Sequence, residues 1–395
     1  MSDVKEVMKR YFLDLDAASR DPRRLVAWCT SVGPAEILRA MDFEVFFPEN
    51  HGAMLGASRM SGETIPAANA LGYSPDICSY LTSDVGACMK GVTPLTKAYG
   101  IKNVPRPDVL VYNTNQCKDV MHWFEFYSRK FNVPLIGIHS PNHLSNVEKW
   151  HIDDVVAQFK NLIARLEALA RKKMDVEKLK HTVALSKKAT DLWNEVLLTG
   201  AHKPSPLNFF DSTVFMGPIV VLRGTEEAVT FYKHLLKDMK ERIKAGVASV
   251  HGEMKRIYWD GMPVWGRLRN LSELFQRHRA CVVASTYCNS WIFSAFDATD
   301  PLASMAKAYL EIFINRNDSF KEKYISKTIK EFAIDGVIFH ESKTCPNNTN
   351  SQYNLPGRLR GNGIPSVVIN GDLCDLRCFS DEQATNLIEA FLEMI

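Results

Sequence analysis

Short runs of β-branched and aromatic residues alternate with stretches of helical period in the first and last thirds of the chain. This is the pattern of buried parallel strands with helices on both sheet faces. The runs predict strands over 25–29, 43–47, 108–112 and 134–138, and again over 256–259, 280–285, 336–340 and 365–370. Each set, interleaved with helices, predicts a doubly wound sheet of its own. Residues 149–250 carry apolar positions at a period near 3.6 and predict long helices bridging the two sheets, with Pro204 and Pro206 marking a turn between helices. The expected organisation is therefore α/β: an N-terminal domain over 1–148, a helical connecting section over 149–250 and a C-terminal domain over 251–395. Ser380 is placed to cap the last helix, with Gln383 completing a capping box.

Composition narrows the function classes. The 395 residues are 46% hydrophobic and 24% charged, as in ordinary folded proteins, and the length suggests two or three domains. A net charge of +3 without a basic stripe gives no footing for nucleic-acid binding. No stretch approaches the roughly 18 apolar residues that span a bilayer, and the first residues lack the apolar core of a signal peptide, so a cytoplasmic protein without membrane contact is expected. In a reducing compartment the nine cysteines are expected to serve metal binding, catalysis or packing rather than disulfides.

Two of those cysteines stand at equivalent places. DVLVYNTNQC ends at Cys117 and DGVIFHESKTC ends at Cys345, each an aspartate, a buried strand, a polar loop and a cysteine. Loops beyond the carboxyl ends of parallel strands are where open α/β sheets gather ligands, so both thiols are expected at a shared cleft. Cys78 follows the Ser74-Pro75 turn and opens a predicted helix, whose N-terminus favours a thiolate. Thiolates from distant segments can hold an iron–sulfur cluster, although no CxxC pair is present. Cys29, Cys281 and Cys288 read as packing; Cys88, Cys374 and Cys378 are open to packing, tuning or ligation. Glu49 and His51, in FFPENHGA on an expected loop after a predicted strand, are candidates for acid–base work, although a helix cap or a solvent-exposed loop pair is the commoner meaning of such residues. The chain carries no GxxxxGK[ST], GxGxxG, HExxH or GxSxG motif.

From WCTSVGPAEILRAMDFEVFFPENHGA through GYSPDICSY, VLVYNTNQCKDVMHWFEFY, HKPSPLNFF and RGTEEAV to NGDLCDLRCFS, the sequence resembles the 2-hydroxyacyl-CoA dehydratase and benzoyl-CoA reductase family. The resemblance implies two flavodoxin-like halves and one [4Fe-4S] cluster on Cys78, Cys117 and Cys345, with Glu49 near the substrate and His51 as a second catalytic candidate. It implies a homologous iron–sulfur partner subunit, or a second copy of the chain, and a separate ATP-hydrolysing [4Fe-4S] activator that delivers a low-potential electron. The substrate is then an acyl-CoA or aryl-CoA thioester passing through a ketyl radical. Glu-Ser-Lys-Thr-Cys-Pro around Cys345 resembles the reductases and tilts the reading toward benzoyl-CoA reduction, whereas PENHGA and KPSPLNFF resemble the 2-hydroxyacyl-CoA dehydratases. A double-cubane reductase, using the additional cysteines for a larger cluster, and a subunit that only relays electrons are the rival readings.

Overall fold

The computed structural model describes residues 4–350 and 354–395. Among them, β1 Leu25–Cys29, β2 Phe43–Phe46, β3 Val109–Asn113 and β4 Leu135–Ile138 form one sheet in the order β2-β1-β3-β4. β5 Lys255–Asp260, β6 Ala280–Ser285, β7 Gly336–Ser342 and β8 Ser366–Gly371 form a second in the order β6-β5-β7-β8. All pairings are parallel, so the fold is the expected α/β arrangement with two doubly wound sheets. Helices cover both faces, which is why β3 is buried at every position.

The two sheets repeat one another in detail. Asp108, just before β3, accepts the Val26 N–H on its carboxylate and donates its own N–H to the Val26 carbonyl, both at 2.7 Å. Asp335, just before β7, makes the same pair of bonds to Arg256, at 2.7 and 2.8 Å. Each aspartate pins the start of the strand whose far end carries Cys117 or Cys345.

Between the sheets in sequence run three long helices, Lys149–Ala170, Val176–Leu198 and Glu226–Lys244. Asp175 accepts the N–H groups of Glu177 and Lys178, Thr225 accepts that of Ala228, and His151 Nδ1 accepts that of Glu148 at 2.9 Å, so side chains cap all three starts. The Lys203–Pro204 peptide in the intervening turn is cis. At the last helix, Asp381–Met394, the Ser380 hydroxyl accepts the Gln383 N–H at 3.3 Å, the first half of the expected capping box.

Arg223 ties this helical section to both halves. Fully buried, it donates from Nε to Glu36 at 2.8 Å, to the Ser31 and Gly33 carbonyls at 3.2 Å each, and to the Tyr309 hydroxyl at 3.1 Å. It thereby holds the loop after β1 against the helix Pro301–Leu310 of the second half. No helix among the described residues is long and apolar enough to cross a membrane.

Candidate active site

Both strand-end loops and the start of the helix Ser79–Lys90 converge on one cavity of about 620 Å³, lined by residues of both halves. Cys78, Cys117 and Cys345 all line it. Each segment is bonded to the next. The Cys78 N–H donates to Asp119 at 3.0 Å, the Ser79 N–H to the Thr344 hydroxyl at 3.0 Å, and the Asn347 amide to the Gln116 carbonyl at 3.2 Å. The three cysteines, distant in sequence, thus sit on a closed triangle of hydrogen bonds.

Asp372, wholly buried just past β8, is the hub beneath it. It accepts the Ser79 hydroxyl at 2.5 Å, the Thr344 N–H and hydroxyl at 2.9 and 2.6 Å, and the backbone N–H groups of Cys374 and Asp375. A buried carboxylate with this many donors is a rigid junction.

Burial is the first cause that raises the thiol pKa values. Cys117 is pushed up to about 12, with the Asp119 and Glu49 carboxylates adding to the effect. Cys78 is raised further by the charges of Cys117 and Cys345, and Cys345 by those of Cys117 and Asp372. Three thiols so placed stay protonated near neutral pH unless a cationic centre compensates their charge. Among the described residues no group of three or more His, Cys, Asp or Glu side chains forms a site for a single metal ion.

Glu49 lies within the helix Pro48–Ala57 rather than on a loop, because Pro48 at the first helical position starts the helix almost directly after β2. Its Oε1 accepts the Ser31 N–H at 3.0 Å and the Gln116 amide at 2.6 Å. Its Oε2 is buried without a hydrogen-bond partner, as are Ser31 Oγ and Asn50 Oδ1, and all three residues line the cavity. Burial raises the Glu49 pKa to about 7, although the Ser31 and Gln116 donors pull the other way. The Ser31 hydroxyl favours the charged form from nearby without meeting the geometry of a hydrogen bond.

The fold does not bring His51 to the cavity. It is 2% exposed, with Nδ1 on Asp84 at 2.5 Å and Nε2 on the Thr93 hydroxyl at 2.8 Å. Asp84 also accepts the Trp123 indole N–H at 2.9 Å and the Tyr127 hydroxyl, so Asp84 joins the helix of His51, its own helix and that of Trp123 and Tyr127. Cys88, Cys374 and Cys378 do not line the cavity either, and Cys374 Sγ faces the Gly52 carbonyl at 3.4 Å. Cys29, Cys281 and Cys288 are buried, as expected of packing residues, and all nine thiols are free. The structural residues that sequence reasoning did not single out are Ser31, Gln116, Asp119, Thr344, Asn347 and Asp372. Their only signal was position, within a few residues of a candidate cysteine or at the end of a strand.

The family model described as 2-hydroxyglutaryl-CoA dehydratase, D-component, matches residues 30–395. The chain is 30% identical to the (R)-2-hydroxyisocaproyl-CoA dehydratase alpha subunit of Clostridioides difficile, over 95% of this chain and 91% of that one. It is 29% identical to the alpha subunit of the lactoyl-CoA dehydratase of Anaerotignum propionicum, over 97% and 93%. With a benzoyl-CoA reductase subunit of Thauera aromatica it shares 28% identity, over 100% and 94%. Matched from residue 30 to its last residue and over nearly the full length of these relatives, the chain belongs to the 2-hydroxyglutaryl-CoA dehydratase D-component family and is an enzyme subunit of that kind.

Proposed function

We propose that the chain is an iron–sulfur subunit of a 2-hydroxyacyl-CoA dehydratase, with Cys78, Cys117 and Cys345 holding the cluster. The support is the donor set itself: three soft thiols from separate segments that line one cavity and are held on a hydrogen-bonded triangle. Bound there, a [4Fe-4S] cluster with one open iron supplies an electron and a Lewis acid to a thioester carbonyl.

The observation that favours dehydration over ring reduction is the unpartnered trio of Ser31 Oγ, Glu49 Oε2 and Asn50 Oδ1. Buried polar atoms without partners point to a polar ligand group, and a 2-hydroxyacyl thioester brings a hydroxyl where an aryl thioester brings none. Glu49, half protonated near pH 7, can give the proton with which that hydroxyl departs as water. The products are then an enoyl thioester and water, with no net consumption of electrons. The relatives named alpha subunits support pairing with a second, homologous subunit. The absence of a phosphate-binding loop in the sequence accords with electron delivery by a separate ATP-hydrolysing activator.

Aryl-CoA reduction is the second reading, favoured by the Glu-Ser-Lys-Thr-Cys run at 341–345 and the likeness to the benzoyl-CoA reductase subunit. The double-cubane reading loses support, since the additional cysteines lie off the cavity. The test is anaerobic purification with copurifying subunits, an iron and sulfide count, and product analysis with activator and ATP. About four irons per chain with enoyl-CoA formed from a 2-hydroxyacyl-CoA is the expected result. Stoichiometric electron consumption with benzoyl-CoA selects the second reading, and protein that binds no iron overturns both.

A further inference from the structure

The seven tryptophans of the chain meet their indole N–H groups in different ways. Trp28, Trp123, Trp193, Trp259 and Trp265 each donate to a protein acceptor: the Pro105 carbonyl at 2.8 Å, Asp84 at 2.9 Å, the Cys288 and Met262 carbonyls at 3.2 Å each, and the Tyr80 hydroxyl. Trp150 is 65% exposed. Trp291 is buried, at 7% exposure, and its Nε1 meets no protein acceptor. Among the described residues it is also the only one lining the thiol cavity whose side chain leaves a buried nitrogen unpaired. The unpaired buried oxygens of that lining are Ser31 Oγ, Glu49 Oε2 and Asn50 Oδ1, whereas the Thr213 hydroxyl donates to the Phe210 carbonyl, the Thr344 hydroxyl to Asp372 and the Asn348 amide to Met262.

The indole is held in place from two sides. The Thr190 hydroxyl donates to the Trp291 carbonyl at 3.3 Å and accepts the Phe293 N–H at 2.8 Å, which fixes the backbone around the residue. The rings of Tyr287 and Phe293 stand at 84° and 72° to it, with centroids 6.5 and 6.4 Å away.

We infer that the Trp291 indole N–H is a binding donor for a carbonyl oxygen of the CoA thioester, a role that rests on the reading above that the cavity takes such a thioester. An indole nitrogen donates and cannot accept, so its partner is an acceptor. Buried and unpaired, it carries a desolvation cost that a ligand oxygen removes, and its fixed ring has little freedom left to lose on binding. The neutral acceptors on the part of the ligand that enters the cavity are the thioester carbonyl and the amide carbonyls of the pantetheine arm.

Calorimetry on the anaerobically purified protein, with whatever subunit copurifies, tests this with lactoyl-CoA and with S-(2-hydroxypropyl)-CoA, the thioether in which a methylene replaces the thioester carbonyl. Trp291→Phe is expected to bind lactoyl-CoA at least about fivefold more weakly than the wild type does. A loss confined to lactoyl-CoA puts the N–H on the thioester carbonyl, and an equal loss with the thioether puts it on a pantetheine amide. Unchanged affinity for both ligands overturns the inference. In the wild type the indole N–H resonance missing from the variant is expected to move downfield when ligand is added; a resonance that stays in place overturns the inference even where affinity falls, since the ring alone then matters. Where the phenylalanine variant does not fold, 3-benzothienylalanine at position 291, which keeps the indole shape without the N–H, takes its place. A Trp291-dependent affinity without dehydration in the presence of activator and ATP leaves the inference standing and removes the dehydratase reading. Wild-type protein that binds neither ligand overturns the CoA reading and this inference with it.

Discussion

Thr344 and Asp372 are joined twice, the Thr344 N–H and hydroxyl both donating to one carboxylate oxygen at 2.9 and 2.6 Å, while that hydroxyl accepts the Ser79 N–H from the other half of the molecule. The Thr344 side chain therefore bridges the segments that carry Cys78 and Cys345, beside the bond from the Ser79 hydroxyl to Asp372. Thr344→Val keeps the shape, removes the hydroxyl and leaves the Ser79 N–H buried without its acceptor. Loss of about 1–3 kcal/mol in unfolding free energy is expected for the apoprotein. Thr344→Ser should restore most of it, and denaturant midpoints for the three proteins decide the matter.

Serine at Cys117 or Cys345 should strip the anaerobically purified protein of most of its iron and visible absorbance. Serine at Cys88 or Cys281 should leave about four irons per chain, since neither residue lines the cavity. Full iron in both the Cys117 and the Cys345 variants would exclude the proposed ligand set.

Glu49 should impose a pH dependence on stability. With a folded pKa of about 7 against an ordinary value of 4.5, the carboxyl is protonated in both states at low pH, and between the two values only the unfolded chain ionises. The folded state binds the proton more tightly, so the stability it confers is present at low pH and is lost as pH rises through about 7, by about 3 kcal/mol in all. Glu49→Gln cannot ionise and lacks this loss. Urea unfolding of both proteins at pH 4.5 and pH 8 should show the variant gaining on the wild type at the higher pH; a constant difference would mean that the carboxyl is not raised.

The two sheets were legible because buried parallel strands read as unbroken apolar runs, and the Asp-strand-loop-Cys repeat announced both Cys117 and Cys345 at strand ends. Glu49 and His51 part for a geometric reason: on a loop both could face one ligand, but in the helix Pro48–Ala57 residues two apart point to opposite sides, so Glu49 reaches the cavity and His51 turns to Asp84 and Thr93. Asp372 could not have been read at all. Its role comes from Ser79 and Thr344, brought to it only by the folded arrangement of three segments.

Arg223 offers the sharpest test of how the helical section supports the site. Its guanidinium bonds the carbonyls of Ser31 and Gly33, and the Ser31 N–H in turn bonds Glu49, so the loop after β1 is held between the two charged groups. Glu36 also accepts from Ser186 at 2.7 Å and from Tyr309, and among the described residues Arg223 is the cation it pairs with. Arg223→Met therefore leaves a buried carboxylate without its counter-charge, and a loss of about 3–5 kcal/mol is expected. Arg223→Lys retains the charge but cannot span the same acceptors and should fall between the two. Removing the stranded charge as well, in Arg223→Met/Glu36→Gln, should recover a large share of the loss, giving a coupling energy above about 1 kcal/mol in a double-mutant cycle followed by thermal unfolding. Strict additivity would mean that Arg223 acts through the Ser31 and Gly33 carbonyls alone, and not through Glu36.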